Sequence, residues 1–410
     1  MLPADQPAWD RIRRAAHEIA DAYGFLRIDV PILEHIELFE RSVGAPTDIV
    51  EKQMFIVSGK GKDRLALRPE ATAGIARAFI EHGLGQLGSP LKLFTEGPMF
   101  RHEQPQAGRT RQFHQFNLEI ISVDDDPIYD AQAILTAYRF LECLKLRGLS
   151  IALNSIGCKN CRPAYRKELT DYYKPLRAQL CADCQRRLEV NPLRLLDCKV
   201  EQCRKLREDA PIIIDHLCSH CHSHFKLVLE YLEEVKLPYA LDHHLVRGLD
   251  YYSKTVFEIV GEGADFSLAG GGRYDYLIEL LGGKSSPAVG WAASAERIIE
   301  MCNRQGIVSG TKPRPRPFLI YIGDLAKKRS LGLVEQLRRA GVDVAESFGK
   351  ESLKGQLHAA DKLGSPLALI FGQREAFEES IIVRDLKSGV QETVPLPKVA
   401  EVIKKKLKER

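Results

Sequence analysis

The chain has 410 residues, a net charge of +4 and a pI near 8.4, with 44% hydrophobic and 28% charged residues. That length exceeds one ordinary core, the composition excludes a disordered chain, and the mild basicity permits nucleic-acid binding without arguing for it. No run of about 18 apolar residues is present, which excludes a transmembrane helix, and MLPADQPAWDRIRRA lacks the apolar centre of a secretory signal, so the expectation is a cytoplasmic protein.

From Pro7 to Tyr23, apolar residues at Trp9, Ile12, Ala15, Ala16, Ile19 and Ala20 recur at helical spacing, and Gly24 ends the helix. FLRIDVPILE follows as one strand, and Pro31 near its middle marks an edge, a bulge or pairing with another subunit. RLALRPEATAGIARAF, Arg64 to Phe79, reads as a strand, a Pro-marked turn and a helix. On the residues alone, Glu70 and Thr72 are N-terminal caps.

In the stretch from Leu93 to Ile121, apolar runs flank a polar loop holding Pro105, Gly108, Arg109 and Arg111. That pattern predicts two antiparallel strands joined by a long basic hairpin loop. Period-two alternation assigns Arg101, Glu103, Phe113, Gln115 and Glu119 to defined faces. A covered sheet face bearing charges makes a poor core and a plausible site. Asp130 to Arg147 is predicted as a helix in which Cys143 is a plain buried thiol.

Eight of the ten cysteines fall in four pairs: Cys158/Cys161, Cys181/Cys184, Cys198/Cys203 and Cys218/Cys221. Without a secretion signal, such pairs read as metal ligands before disulfides. The first two pairs make C-x2-C-x19-C-x2-C and the last two C-x4-C-x14-C-x2-C, which fits two closed structural zinc sites. Sequential pairing is the simplest arrangement, crossed pairing stays open, and His220, His222 or His224 can replace a cysteine. An iron–sulfur cluster is the competing metal reading. Residues 158–224 hold 13 Lys/Arg against 9 Asp/Glu, an excess that two four-thiolate zinc centres would cancel. Electrostatics therefore does not decide whether this stretch meets RNA.

LVRGLDYYSKTVFEIV, Leu245 to Val260, predicts a turn and then a strand. In SLAGGGRYDYLIELLGG, Ser267 to Gly283, three glycines allow close backbone approach to a ligand. Gly283-Lys284-Ser285 imitates a phosphate loop, but Ile278 stands where its first glycine belongs. PRPRP, Pro313 to Pro317, is a stiff linker. Beyond it, strand and helix patterns alternate, predicting an α/β layer with mostly parallel strands.

FRHEQPQAGRTRQFHQ, Phe100 to Gln115, resembles motif 2 of class II aminoacyl-tRNA synthetases in the form carried by histidyl-tRNA synthetases. RGLDYY and LAGGGRYDY resemble two signatures of that family, LRPEAT its amino-group-binding string, and the N-terminal helix and strand its motif 1. Pro287 to Cys302 resembles motif 3, with Ser294-Ala295-Glu296-Arg297 where the family reads GLER. A short N-terminal PRG-type strand of the family is missing, as a downstream start would produce. The resemblance implies an α+β class: an antiparallel synthetase sheet with flanking helices at 1–156 and 236–312, an inserted domain at 157–235, and a C-terminal α/β anticodon-binding domain at 313–410. That the cysteine-rich insertion binds zinc rests on the cysteine spacing alone.

It also implies ligation of histidine to histidine tRNA through histidyl-adenylate, by a homodimer using ATP and Mg²⁺. By similarity Arg101 and Arg247 hold the α-phosphate, and Arg109 and Arg297 meet the outer phosphates. Glu103 accepts from the adenine amino group while Phe113 stacks on the ring. Glu70, Thr72 and Gln115 bind the α-amino group, Glu119 and Tyr252 read the imidazole, and Tyr251 and Tyr274 line its pocket. Two rival readings are a regulatory subunit of ATP phosphoribosyltransferase, which shares the catalytic fold, and a zinc-dependent RNA-binding protein that has lost activity.

Overall fold

The computed structural model describes residues 2–44, 47–58, 63–103, 110–307, 316–349 and 352–408. They form two compact units, Met1–Gly310 and Thr311–Arg410. The first unit opens with α1 (Gln6–Ala22), then β1 (Leu26–Arg27), β2 (Leu33–His35), α2 (Ile36–Phe39), β3 (Ile56–Ser58), β4 (Arg64–Leu67) and α3 (Thr72–Glu81). The long hairpin β5 (Leu91–Phe100) and β6 (Gln112–Ile121) follows, then α4 (Ile128–Cys143) and β7 (Ser150–Ser155). Four helices carry the cysteine-rich stretch: α5 (Arg162–Tyr173), α6 (Ala182–Val190), α7 (Glu201–Arg207) and α8 (Ser219–Glu234). The unit closes with β8 (Tyr239–Leu241), β9 (Ser253–Val260), β10 (Ala269–Arg273), α9 (Leu277–Leu280), β11 (Ala288–Ser294) and α10 (Ala295–Arg304).

Eight strands make one sheet in the order β1-β5-β6-β11-β10-β9-β7-β8. Its six inner strands are antiparallel, while β1 and β8 join the two edges in parallel, so the sheet is mixed at its rims. The single strand expected through FLRIDVPILE is in fact two: β1 pairs with β5, whereas β2 pairs with β4 in a separate three-stranded sheet. Pro31 lies in the break, where its missing N–H costs no ladder bond.

Alternation along β6 sorts its side chains. Phe116, Leu118 and Ile120 join Trp9, Phe140 and Val228 in a core beneath helices α1, α4 and α8. Gln115, Asn117 and Glu119 face the other way, into a cavity. Cys143, expected to be buried, is exposed at the end of α4, where it stands beside exposed Glu142 and outside the buried stripe that Phe140, Leu141 and Leu144 continue. Among the described residues, no helix is long and apolar enough to cross a membrane.

The second unit contains β12 (Phe318–Tyr321), α11 (Asp324–Arg339), α12 (Leu353–Lys362), β13 (Leu367–Phe371), α13 (Gln373–Phe377), β14 (Ser380–Asp385), β15 (Gln391–Pro395) and α14 (Val399–Lys408). The sheet order is β12-β13-β14-β15, and β12–β13 is its parallel pair. The mostly parallel layer is thus corrected: β14 and β15 form a hairpin, turned at Gly389 with φ +75°, and VDVAES contributes one parallel bridge, Phe318 to Ala345.

Candidate active site and cysteine centres

Glu119 sits in the middle of the charged sheet face, fully buried. Thr72 Oγ1 donates to its Oε1 at 2.7 Å, and the Tyr274 hydroxyl donates to its Oε2 at 2.6 Å. Gly290 on β11 stands opposite in register, and a Cβ there would fall 1.6 Å from Glu119 Oε2, so only glycine leaves the carboxylate its place. Burial pushes the Glu119 carboxyl up to about 8, against the pull of its two donors.

Glu70 accepts from the backbone N–H groups of Thr72 at 2.7 Å and Ala73 at 2.8 Å. The capping reading of Glu70 therefore holds, while the Thr72 hydroxyl turns to Glu119. The Tyr251 hydroxyl reaches Glu70 Oε2 at 3.5 Å, and burial holds Tyr251 and Tyr274 well above the usual phenol range, as donors. In the same cavity wall, Gln115 Oε1 and Asn117 Oδ1 are buried with no hydrogen-bond partner among the described residues. Unmatched buried acceptors beside a carboxylate suit a ligand rich in N–H donors.

A second cavity is lined by Arg101, Glu103, Phe113, Ser267, Ser294 and Arg297. It shares the side chains of Arg101, Gln115 and Arg247 with the first, so the two cavities meet at an arginine wall. Arg101 Nε donates to Pro69 O at 2.9 Å, and its guanidinium lies 5.3 Å from the centre of the Phe113 ring. Arg247 pairs with Glu258 and lies 5.8 Å from the Tyr252 ring. A Cβ at Gly270 would come within 2.7 Å of Arg247 Nη1, which explains one glycine of the GGG run. Arg297 donates to Ser267 O at 3.0 Å. Ser294, the departure from GLER, caps α10: its Oγ accepts from Arg297 N.

The structure thus brings together all the residues of the two sequence-derived sites except Arg109, which lies outside the described residues. Asn117 and Glu258 were missed. Asn117 carried a signal, since it lies between Gln115 and Glu119 with their parity, and Glu258 is the lone charge in the apolar half of β9.

The cysteines gather as Cys158, Cys161, Cys218 and Cys221, and as Cys181, Cys184, Cys198 and Cys203, each group with its sulfurs within 4.8 Å of one another. Sequential pairing is therefore overturned, because the two pairs at the ends of the stretch meet at its base and the inner pairs meet within it. The histidines are not in either group: His220 and His224 bind Asp125 and Asp130 instead. Representative sulfur separations are 3.6, 4.0 and 3.8 Å. One ion bound at about 2.3 Å would set tetrahedral sulfurs roughly 3.8 Å apart. Backbone N–H groups also point at sulfur, Cys218 N at Cys161 (3.2 Å) and Cys181 N at Cys203 (3.3 Å), as thiolate ligands require.

A family model described as histidyl-tRNA synthetase matches residues 1–161 and 182–298, and an anticodon binding domain model matches 318–406. A histidine–tRNA ligase of Dehalococcoides mccartyi is 46% identical over 409 residues, 99% of this chain and 98% of that protein. The ligase of Desulforamulus reducens is 41% identical over 406 residues, 98% and 97% of the two chains. The solved structure of apo S. aureus histidyl-tRNA synthetase superposes with a TM-score of 0.81 at 32% identity, covering 98% of this chain and 97% of its own. A Bacillus halodurans structure described as an ATP phosphoribosyltransferase regulatory subunit/histidyl-tRNA synthetase gives 0.64 at 20% identity, covering 90% and 96%, a likeness of fold alone.

Proposed function

The chain belongs to the histidyl-tRNA synthetase family and ligates histidine to tRNA, and on that premise we propose how its residues share the reaction. The carrying observation is the pair of cavities joined at Arg101, Gln115 and Arg247. One is built for donors around Glu119, and the other is cationic with an aromatic wall.

Histidine occupies the first cavity. Its imidazole lies against Glu119 and Tyr252, with Tyr251 and Tyr274 beside it, and its ammonium meets Glu70, Thr72 and Gln115. ATP occupies the second, its adenine on Phe113 with Glu103 accepting from the amino group and Arg109 and Arg297 on the outer phosphates. Mg²⁺ bound with the nucleotide would add to the neutralisation of phosphate charge that Arg101, Arg247, Arg109 and Arg297 supply. A histidine carboxylate oxygen attacks the α-phosphorus, the bond to the bridging oxygen breaks, and pyrophosphate leaves. Arg101 and Arg247, at the common wall, stabilise charge on the α-phosphoryl oxygens, so positioning and electrostatics do the catalytic work. The terminal tRNA hydroxyl then attacks the acyl carbon and displaces AMP.

The anticodon-domain match of the second unit supports tRNA binding there. Exposed Leu26, Ile32, Leu33 and Ile56 near the motif 1 region support a homodimer. The sulfur geometry supports one zinc ion in each cysteine group, with all four positions filled and hence a structural role. The deciding experiment is histidine-dependent ATP–pyrophosphate exchange. Exchange with histidine alone among amino acids, lost in Arg247→Ala, is expected, and its absence from folded wild-type protein would refute the assignment of the two cavities.

A further inference from the structure

The two cysteine groups differ in what they hold. Cys181, Cys184, Cys198 and Cys203 join α6, α7 and the segment between them. From there, contact with the sheet-bearing part runs through ion pairs such as Arg186–Glu51 and Arg187–Asp48, partly open to water, and through apolar packing, with Cys184, Cys198 and Cys203 in one buried cluster with Tyr251, Tyr252 and Tyr274. Cys158 and Cys161 instead follow β7 directly, and Cys218 and Cys221 open α8, whose Phe225, Val228 and Leu232 sit in the core under the sheet.

Two hydrogen-bonded paths run from this second group to the Glu119 cavity. In the first, Arg162, next to Cys161, donates to the carbonyl oxygens of Ile156 (3.3 Å) and Tyr252. Beside it, Ile156 N donates to Lys254 O at 2.7 Å and Lys254 N to Gly157 O at 2.9 Å. In the second, His220 and His224 on α8 meet Asp125 at 2.9 Å and Asp130 at 3.2 Å. Arg273 Nε donates to Asp130 Oδ2 at 2.9 Å, and Asp275 bridges Arg273 and Lys254 at 3.0 Å each. Arg273 and Asp275 flank Tyr274, and Lys254 follows Tyr252 by two residues.

The backbone around Tyr252 and Tyr274 is thus fixed by groups docked on the cysteine-bearing elements. Lys254 is held at φ +48°, a conformation that a residue with a Cβ keeps only when its surroundings impose it. Arg273 and Asp130 have fully buried side chains, and buried charges of this kind depend on every partner remaining in place.

We propose that the Cys158/Cys161/Cys218/Cys221 metal centre is a positioning device for the histidine pocket, acting through Arg162 and through the His224–Asp130–Arg273 chain, whereas the other centre holds α6 and α7 and meets that pocket through non-directional apolar packing. This rests on reading both groups as metal centres. The test measures metal content and exchange kinetics together on full-length wild type, Cys221→Ser, Cys184→Ser, Arg162→Gln and Arg162→Lys. Wild type and both Arg162 variants are expected to carry one ion per cysteine group.

Cys221→Ser and Arg162→Gln should raise the KM for histidine about ten-fold while the KM for ATP stays within about two-fold, and Arg162→Lys should recover part of the loss. Cys184→Ser should lose an ion and thermal stability while shifting the histidine KM several-fold less. If Cys221→Ser does not fold, Arg162→Gln, with every cysteine intact, decides alone. An unchanged histidine KM in Arg162→Gln, or equal shifts in the two cysteine variants, overturns the positioning role and leaves the metal reading standing. Wild-type protein without bound metal overturns the metal reading itself.

Discussion

Glu119 shows how a residue's meaning changes with its surroundings. In sequence it is one acid in a strand, whereas in the fold it is sealed between Thr72, Tyr274 and a glycine that leaves no spare volume. Its carboxyl, held near 8, is raised above the ordinary glutamate value. The sign follows: this group stabilises the ligand-free fold fully below its unfolded pKa and loses that contribution as pH rises through about 8. Melting across a pH series should show stability falling over this window, with a Glu119 share of up to about 1.4 kcal/mol per pH unit that Glu119→Gln removes. An unaltered pH slope in that variant would show that Glu119 is ionised throughout. Gly290→Ala tests the same packing: its methyl must displace Glu119, so histidine KM should rise at least about ten-fold while the chain stays folded. Unchanged histidine KM would mean that the carboxylate has another place to go.

At the scale of the element, the departures from the expected pattern acquire physical reasons. Ser294 replaces a glycine at the β11–α10 junction and caps the helix, so the motif 3 arginine is presented from a stabilised N-terminus. Ser294→Ala should cost about 1 kcal/mol by denaturant titration, and Ser294→Gly only a few tenths. Exchange activity surviving in both would separate the cap from the chemistry. On the proposed reading of the cysteine groups as metal centres, the helices that carry them would depend on bound metal in a different way. They are short, between 7 and 16 residues, and a closed zinc shell contributes folding free energy outright. A strong chelator at raised temperature should therefore lower helical circular dichroism and release zinc in step. Helix loss without metal release would argue that packing alone holds these helices.

For the whole molecule, every described residue of the two cavities lies in the first unit. A protein ending at residue 310 should keep histidine-dependent exchange within a few-fold and lose most of its kcat/KM for tRNA charging. Equal loss of both activities would refute the separation of activation from tRNA recognition. Sequence by itself determined the family likeness, the two strands of the hairpin and nearly all of the residues that the two cavities bring together, because alternation along β6 is local and the signature strings are contiguous. It also determined that the cysteines come in pairs with metal-ligand spacing, since short loops fix each pair. Tertiary structure alone decided which pairs share a centre, because that depends on where β7 ends relative to α8. It alone joined Glu258 to Arg247 and placed Gly290 against Glu119, and it split the strand at Pro31 between two sheets. Each of these is a meeting of residues far apart in the chain or on different strands, and periodicity, which speaks only for neighbours along one element, carries no information about it.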